Sequence, residues 1–469
     1  MTNAKSRLIP ALIYAALSTA IVSSLGMLLV PTIAQEMKVS VATAQWMLTV
    51  NLLVGAVATP VMGRLSDGPH KKRTLLIALA VILVGSIMAA LATNFTVFLI
   101  GRALQGLTYG IVPVTIALAR RYVPTPHVQP TISSLSVTVA TGLGLGYPLT
   151  GLLAEFLGFR FAFWFAALFI VSATVVVSTV VPNGPDPTAP SRAFDFPGAA
   201  LLGVGLGSLL LAISEGPNWG WASGWTLGVL ALSVVSFTAW ALVELRSDHP
   251  LINLRTLRNG DVLLANFAAI GLGAASYIGL SVASLVAQAP LNTDYGMALP
   301  LAWAGFVIAP LSVGSFLANR VVHKLSNRVS MDALLPIGSG IMAAAGVVLW
   351  FAHAHLWGLL VGIFMFGVGI GAGYAAMPAL IARSVAVAEL GSSVSFNQVL
   401  RTVGSSFGTA IAAAVMATHP GIGENTTDAG ITTVFEVGAI VCLVVFATLI
   451  VRTILARPRN EPPTGQAPA

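Results

Sequence analysis

The chain has 469 residues, 56% hydrophobic and 8% charged, with a mean hydropathy of +0.89. Soluble domains carry about 25% charged residues, so this chain lacks the polar surface to cover itself in water and reads as an all-α integral membrane protein. Its net charge of +7 does not point to nucleic acid, because the basic residues are scattered in short loops between apolar runs.

The N-terminus carries Lys5 and Arg7, then an apolar stretch from about Pro10 to Val30. A signal-peptide h-region holds about 7–15 residues, so this stretch is predicted to be a first, uncleaved membrane helix. A crossing needs about 20 apolar residues. On that rule the sequence predicts fourteen spans, at 9–30, 44–62, 74–92, 96–119, 131–153, 161–182, 196–214, 223–243, 262–289, 300–319, 332–352, 356–380, 395–417 and 431–453. Six precede a segment rich in Pro, Asp and Ser, Pro182–Pro197, and six follow the eighth span. The expected domains are an N-terminal six-helix bundle (1–182), a linker with two inserted peripheral helices (183–258), and a pseudo-symmetric C-terminal six-helix bundle (259–457). A polar tail (458–469) is expected to be disordered. A faint internal repeat supports the two halves: GRLSDGPHKKR (63–73) and NRVVHKLSNR (319–328) are both short basic segments after the second helix of their bundle.

Basic residues test this map. If the first helix starts inside, only Lys38 and Arg160 fall in outer loops, and Arg102 and Arg401 lie within or at the edge of helices 4 and 13. The other nineteen of the 23 Lys and Arg fall inside. Both termini are therefore expected in the cytoplasm. Trp46, Trp164, Trp219, Trp221, Trp225, Trp350 and Trp357 sit near the predicted outer interface, whereas Trp240 and Trp303 are less clearly placed. Short loops and a strong positive-inside pattern fit a bacterial inner (plasma) membrane. Cys442, the single cysteine, lies in an apolar run and reads as packing, which rules out an internal disulfide. His353 and His355 form an H-x-H pair that reads as interfacial, so no metal is expected. The sequence lacks H-E-x-x-H, G-x-S-x-G and P-loop patterns, so neither an enzyme nor direct use of ATP is expected, and no cofactor.

Four stretches bear a resemblance. Gly63–Asp67 reads GRLSD and is followed by Lys71, Lys72 and Arg73. Arg102–Gly106 reads RALQG. Gly142–Gly151 reads GLGLGYPLTG. The fourth is LVPTIAQEM (29–37) with QWMLTVNLLVGAVATPVMGRLSD (45–67). Together they resemble the major facilitator superfamily, and the fourteen-helix plan resembles its EmrB/QacA-like drug:proton antiporter branch. The first stretch is similar to the family's loop between helices 2 and 3. It implies a gate in which Gly63, Arg64, Asp67, Lys71, Lys72 and Arg73 lock and release helix ends. His70 stands where the family has a second glycine, and Gly68-Pro69 replaces the usual residues. The second implies a role for Arg102, with Gln105 beside it, in proton movement. The third resembles the antiporter motif of helix 5, carried here by Gly142, Gly146, Pro148 and Gly151. Pro148 is one place late, Tyr147 takes its slot, and Thr150 replaces a glycine. Within the fourth, Val22 stands where the branch has a helix-1 aspartate, and Asn51 where an aromatic is usual.

Helices 1 to 4 hold no acid in their interior. Glu155, Glu215, Asp261, Asp332 and Glu436 lie near helix ends. Glu155 reads as a salt-bridge partner of Arg160 or a proton site, Glu436 as a proton site or an interfacial residue, and Asp261 as a cap of helix 9. Arg102 with Asp67 is the best remaining pair for coupling. From depth, Ser23, Ser24, Asn51, Arg102, Gln105, Tyr109, Asn266, Tyr277 and Tyr374 are candidate polar contacts of a midplane cavity, or equally helix–helix hydrogen bonds. The expected function is export of a small amphiphilic, uncharged or weakly acidic compound by alternating access. Membrane lipid, a small-molecule substrate and protons are its partners, and the chain acts as a monomer. A facilitator or importer of a metabolite stays open. A transport-dead sensor or a lipid-processing enzyme is less supported.

Overall fold

The computed structural model describes residues 2–184, 186, 194–248, 250–325, 331–421 and 426–455, and in it fourteen helices are long and apolar enough to cross a membrane. They are α1 (Thr2–Ser24), α2 (Val41–Asp67), α3 (Lys71–Leu91), α4 (Phe95–Tyr122), α5 (Thr125–Leu157), α6 (Phe159–Val180), α7 (Phe196–Trp219) and α8 (Gly224–Arg246). They continue with α9 (Gly260–Gln288), α10 (Leu301–Leu325), α11 (Met331–Ala352), α12 (Leu356–Ser384), α13 (Leu390–Ala417) and α14 (Asp428–Leu455). All the loops rich in Lys and Arg lie at one end of the bundle, called the basic end below. The tail, residues 458–469, lies outside the described residues, as does much of the 182–197 segment.

Several boundaries differ from the sequence expectation, each for a local reason. The first helix stops at Ser24 rather than residue 30, because Gly26 adopts φ 106° and a short helix, Val30–Glu36, restarts with Pro31 in its first turn. The second helix runs to Asp67, so GRLSD forms its last turns and only residues 68–70 are loop. Lys71, Lys72 and Arg73 are then the first turn of α3. Helix α4 tightens to a 3-10 segment over Gly106–Gly110. Pro113 offers no N–H to the carbonyl of Tyr109, which frees the ladder there. The Gly106 N–H turns to Ala103 O, and the Arg102 carbonyl accepts from Asn51 Nδ2 at 3.0 Å instead. Asn51 therefore ties α2 to α4.

Helices α1–α6 pack chiefly on one another, as do α9–α14, and two seams join the groups: α5 against α10 and α12, and α2 against α13. The α7–α8 hairpin lies outside the second seam and spans it. Leu202, Leu206 and Leu210 share a cluster with Ala56 of α2 and with Val399 and Val403 of α13. Thr49 and Ser214 hydroxyls add a 2.8 Å hydrogen bond to the α2 side. On the α13 side, Trp240 packs its ring against Phe396, and its indole N–H donates to Glu244 at 2.8 Å.

Helix α5 serves the first seam with two glycine faces. Gly142 and Gly146, one turn apart, press on Ala20 and Ser24 of α1. Gly144 and Gly151 face α10, and a Cβ at Gly151 would stand 2.7 Å from Leu301 O and 2.9 Å from Ala302 Cα. Gly305 of α10 returns the approach against the backbone of Tyr147 and Pro148. Small residues on both faces let two backbones reach α5 at once. A Cβ at Gly146 would overlap the Ser24 hydroxyl and lie 3.1 Å from Ile21 O, whereas one at Gly228 on α8 would meet nothing within 4 Å. Gly146→Leu is expected to cost about 1–3 kcal/mol of stability through overpacking. Gly228→Leu should stay within about 0.5 kcal/mol. Melting temperatures of the two variants in one detergent check the contrast.

Candidate functional site

A cavity lies midway along the helices between the two groups. The first group lines it with Thr19, Ala20 and Ser23 of α1, Leu52 of α2, Thr108, Tyr109 and Val112 of α4, and Val139 and Leu143 of α5. From the second come Tyr277 of α9, Tyr374 of α12, and Gln398, Arg401, Thr402 and Ser405 of α13. Arg401 is eleven residues from the start of α13, which at a rise of about 1.5 Å per residue places it about 16 Å in, near the middle of a hydrocarbon core about 30 Å thick. Tyr109 and Tyr277 bring their phenol rings to the cavity from opposite groups. Arg401 places its guanidinium carbon 3.9 Å from the centroid of the Tyr374 ring. No carboxylate lines this cavity among the described residues.

Of the cavity residues expected from depth, Ser23, Tyr109, Tyr277 and Tyr374 are on its wall and the others are not. Ser24 donates to Ile21 O at 2.8 Å and abuts Gly146. Asn51 bonds to α4, and Asn266 accepts from Asn397 at 3.0 Å where α9 meets α13. Sequence reasoning missed the α13 wall. Gln398, Arg401, Thr402 and Ser405 follow the i, i+3, i+4, i+7 spacing of one helix face, a polar stripe on an apolar helix, and that signal was available.

At the basic end, Asp67 joins the two groups. Its carboxylate accepts from Gly391 N at 2.7 Å and Ser392 N at 2.9 Å, two of the otherwise unpaired N–H groups in the first turn of α13. Gly63, one turn earlier on the same face, allows this. A Cβ there would stand 2.5 Å from Ser395 Cβ and 2.7 Å from Gly391 O, and one at Gly391 would stand 2.7 Å from the Asp67 carboxylate. Nearby, the Arg120 guanidinium donates to Ala382 O, Gln129 to Ala379 O at 3.2 Å and Ser133 to Ala375 O at 3.1 Å, all between groups. Lys71 and Arg121 pair with Asp186 of the linker at 3.2 and 2.9 Å, and Asp186 N donates to Pro69 O. Lys72 donates to Ser178 O, Val181 O and Asn183 Oδ1. Arg64 is buried and Arg73 exposed.

Arg102 is 1% exposed and sits toward the opposite end. Its Nη1 donates to Gln105 Oε1 at 2.6 Å, its Nε to Met47 O at 3.4 Å, and Gln105 Nε2 in turn donates to Ser86 Oγ at 2.9 Å. Met47 and Asp67 are twenty residues apart on α2, about 30 Å by helical rise, so Arg102 and Asp67 do not form the pair expected from sequence. Other acids also depart from expectation. Glu155 accepts from Ala302 N at 2.8 Å and so caps α10, while Arg160 lies over the Phe159 ring. Asn259 caps α9 through Asp261 N, and Asp261 pairs with Arg383 at 2.8 Å. Glu436 is exposed on α14. His353 has an acid beside it after all, Asp428 at 2.8 Å, although no group of three metal-ligating side chains occurs among the described residues. Val22, in the place of the branch's aspartate, is fully buried.

Residues 11–409 match the family model of the Major Facilitator Superfamily. The chain belongs to this superfamily. Superfamily proteins are membrane transporters and not enzymes. Among curated relatives, the tetracenomycin C resistance and export protein of Streptomyces glaucescens is 27% identical over 405 residues, covering 83% of this chain and 72% of that protein. The probable multidrug resistance protein EmrY of Escherichia coli is 24% identical over 67% of this chain and 60% of its own length. An MFS-type transporter of Mycobacterium tuberculosis is 26% identical over 85% of this chain, but the match spans only 58% of that longer protein. Among solved structures, the human organic anion transporter MFSD10 (TETRAN) superposes with a TM-score of 0.67 at 17% identity, covering 95% of this chain and 99% of that one. At that identity the likeness is one of fold.

In this superfamily member, Asp67→Asn is expected to loosen the basic end. The amide keeps one acceptor and turns a donor toward two N–H groups, and a hydrogen bond to a charged group is worth about 1.5–3 kcal/mol. With Cys442→Ser as background and Thr402→Cys in the cavity, labelling by a polar maleimide from the basic side should rise about tenfold or more. An unchanged rate would mean that Asp67 does not hold that end shut.

Proposed function

We propose that the chain exports small amphiphilic compounds, of the drug or natural-product kind, by alternating access coupled to protons. The observation that carries this reading is the midplane cavity shared by the two helix groups, with separate contacts between the groups toward either end. Rocking of residues 1–182 against 259–457 would break the Asp67 contact or the α5–α10 contact alternately and expose the cavity to one side at a time. The α7–α8 hairpin touches both α2 and α13, so it would shift against one of them as the halves rock. The export names of the Streptomyces glaucescens and Escherichia coli relatives support the direction. Charge placement supports a bacterial plasma membrane with both termini and the basic end in the cytoplasm.

Coupling is assigned to the Arg102–Gln105–Ser86 chain, where a buried cation is held only by neutral acceptors, so small changes in surrounding charge have large effects. One observation favours a second reading, a facilitator without coupling: no carboxylate lines the cavity among the described residues. Efflux from everted vesicles under an imposed pH gradient separates the two. Collapse of flux when the gradient is dissipated, and loss of at least about tenfold in Arg102→Ala, is the antiporter result. Flux indifferent to both is the facilitator result. Orientation has its own check on the Cys442→Ser background. Arg73→Cys should be labelled only from the cytoplasmic side and Arg160→Cys only from outside, since both positions are exposed at opposite ends.

A further inference from the structure

Two guanidinium groups lie within the membrane-spanning bundle, and they are held in different ways. Arg102 is enclosed, donates from Nη1 to Gln105 Oε1 and from Nε to Met47 O, has Phe163 beside it, and is not among the residues lining the cavity. Arg401 is 5% exposed, and what exposure it has is to the cavity it lines. Its side chain stacks on Tyr374. The ion pairs among the described residues involve Lys71, Arg121, His353 and Arg383, and none reaches Arg401. A ring face attracts a cation but leaves its N–H groups and its net charge uncompensated. A charge at the bilayer midplane is costly unless something of opposite sign joins it.

The lining neighbours of Arg401 on α13 are neutral. Thr402 and Ser405 donate their hydroxyl protons to carbonyls of their own helix. Gln398, one turn before Arg401, brings an amide to the same wall. Tyr109 and Tyr277 bring two phenolic hydroxyls to the cavity from the opposite groups. The cavity therefore presents one cation, Arg401, beside three tyrosine rings, and no carboxylate among its described lining residues.

We propose that Arg401 is the anion-binding residue of this cavity, and that the transported class is an aromatic or otherwise planar organic monoanion. This deepens the export reading and rests on it for the direction of movement only, since binding is independent of direction and of coupling. Tyr374 holds the guanidinium plane, so Arg401 presents its fork to a carboxylate or sulfonate. The Tyr109 and Tyr277 rings flank the body of the ligand. A cation of the same shape is rejected because it would meet Arg401 with no carboxylate to offset it.

Three probes of one shape test the proposal: naphthalene-2-sulfonate, 2-naphthylmethanol and 2-naphthylmethylammonium. Each is titrated into the full-length protein in discs of zwitterionic lipid, with no gradient imposed. The expected order is sulfonate tightest, by about tenfold or more over the alcohol, and ammonium weakest. Arg401→Gln should remove the sulfonate preference while leaving the alcohol bound as before. Arg401→Lys should retain part of the preference, since the charge stays and the fork is lost. The proposal is overturned if the wild type binds the alcohol or the ammonium as tightly as the sulfonate, if the sulfonate does not bind, or if Arg401→Gln keeps the preference. The wild-type order alone decides the matter if neither Arg401 variant folds. Failure of export in vesicles with this order intact would sink the export reading and leave the anion site standing.

Discussion

One carboxylate at the end of α2 sits on the open N-terminus of α13, and the arrangement of the two halves at the basic end follows from it. A helix start offers unpaired N–H groups and the positive end of a dipole, so the Asp67 carboxylate finds two donors without needing a basic side chain. The contact requires the two backbones to meet closely, and Gly63 and Gly391 stand where any side chain would prevent it. Glycine and aspartate one turn apart thus act as a single device. The basic residues around them are occupied otherwise: Lys71 and Arg121 hold the linker through Asp186, and Lys72 holds the end of α6. The lock between halves and the tether within the first half share one short stretch of sequence.

At the other seam the contact is made by shape and not by charge. Helix α5 gives alternate glycines to α1 and α10, so it belongs as much to the boundary as to its own bundle. Small residues on the facing surfaces let the two backbones approach closely with few bulky side chains between them. Directional bonds pin the seam at points along its length: Glu155 on the start of α10, Thr141 with Ser312 and Ser315 near the middle, and Ser134 with Asn319 toward the basic end. A carboxylate capping a helix start therefore appears at both ends of the interface, from α2 to α13 at one and from α5 to α10 at the other.

Within the membrane-spanning bundle, the described residues place cations rather than carboxylates around the midplane cavity. Arg102 is sealed among neutral acceptors, and Val22 fills the position where a counter-charge would stand in the resembling branch. Arg401 faces the cavity over the ring of Tyr374. A cavity so built accepts negative charge as a matter of Coulomb energy, before any detail of shape is considered.

The sequence by itself determined the membrane class, the number of crossings and the family. Each of these rests on local quantities, such as the length of apolar runs, the position of Lys and Arg, and short motifs whose glycines and charges are contiguous. Helix ends were less legible, since Gly26, Pro113 and the extension of α2 to Asp67 depend on what each end packs against. The site was half legible. Tyr109, Tyr277 and Tyr374 could be placed by depth, but depth says nothing of rotation about the helix axis, so Ser24, Asn51 and Asn266 were equally plausible; Ser24 turned out to bond within its own helix and Asn51 and Asn266 between helices. Only the tertiary structure could decide that Asp67 meets α13 and not Arg102, that Glu155 caps α10, and that Arg401 faces the cavity without an acidic partner among the described residues. Those are pairings between residues far apart in the chain, and the partner of a buried charge is set by which helices become neighbours.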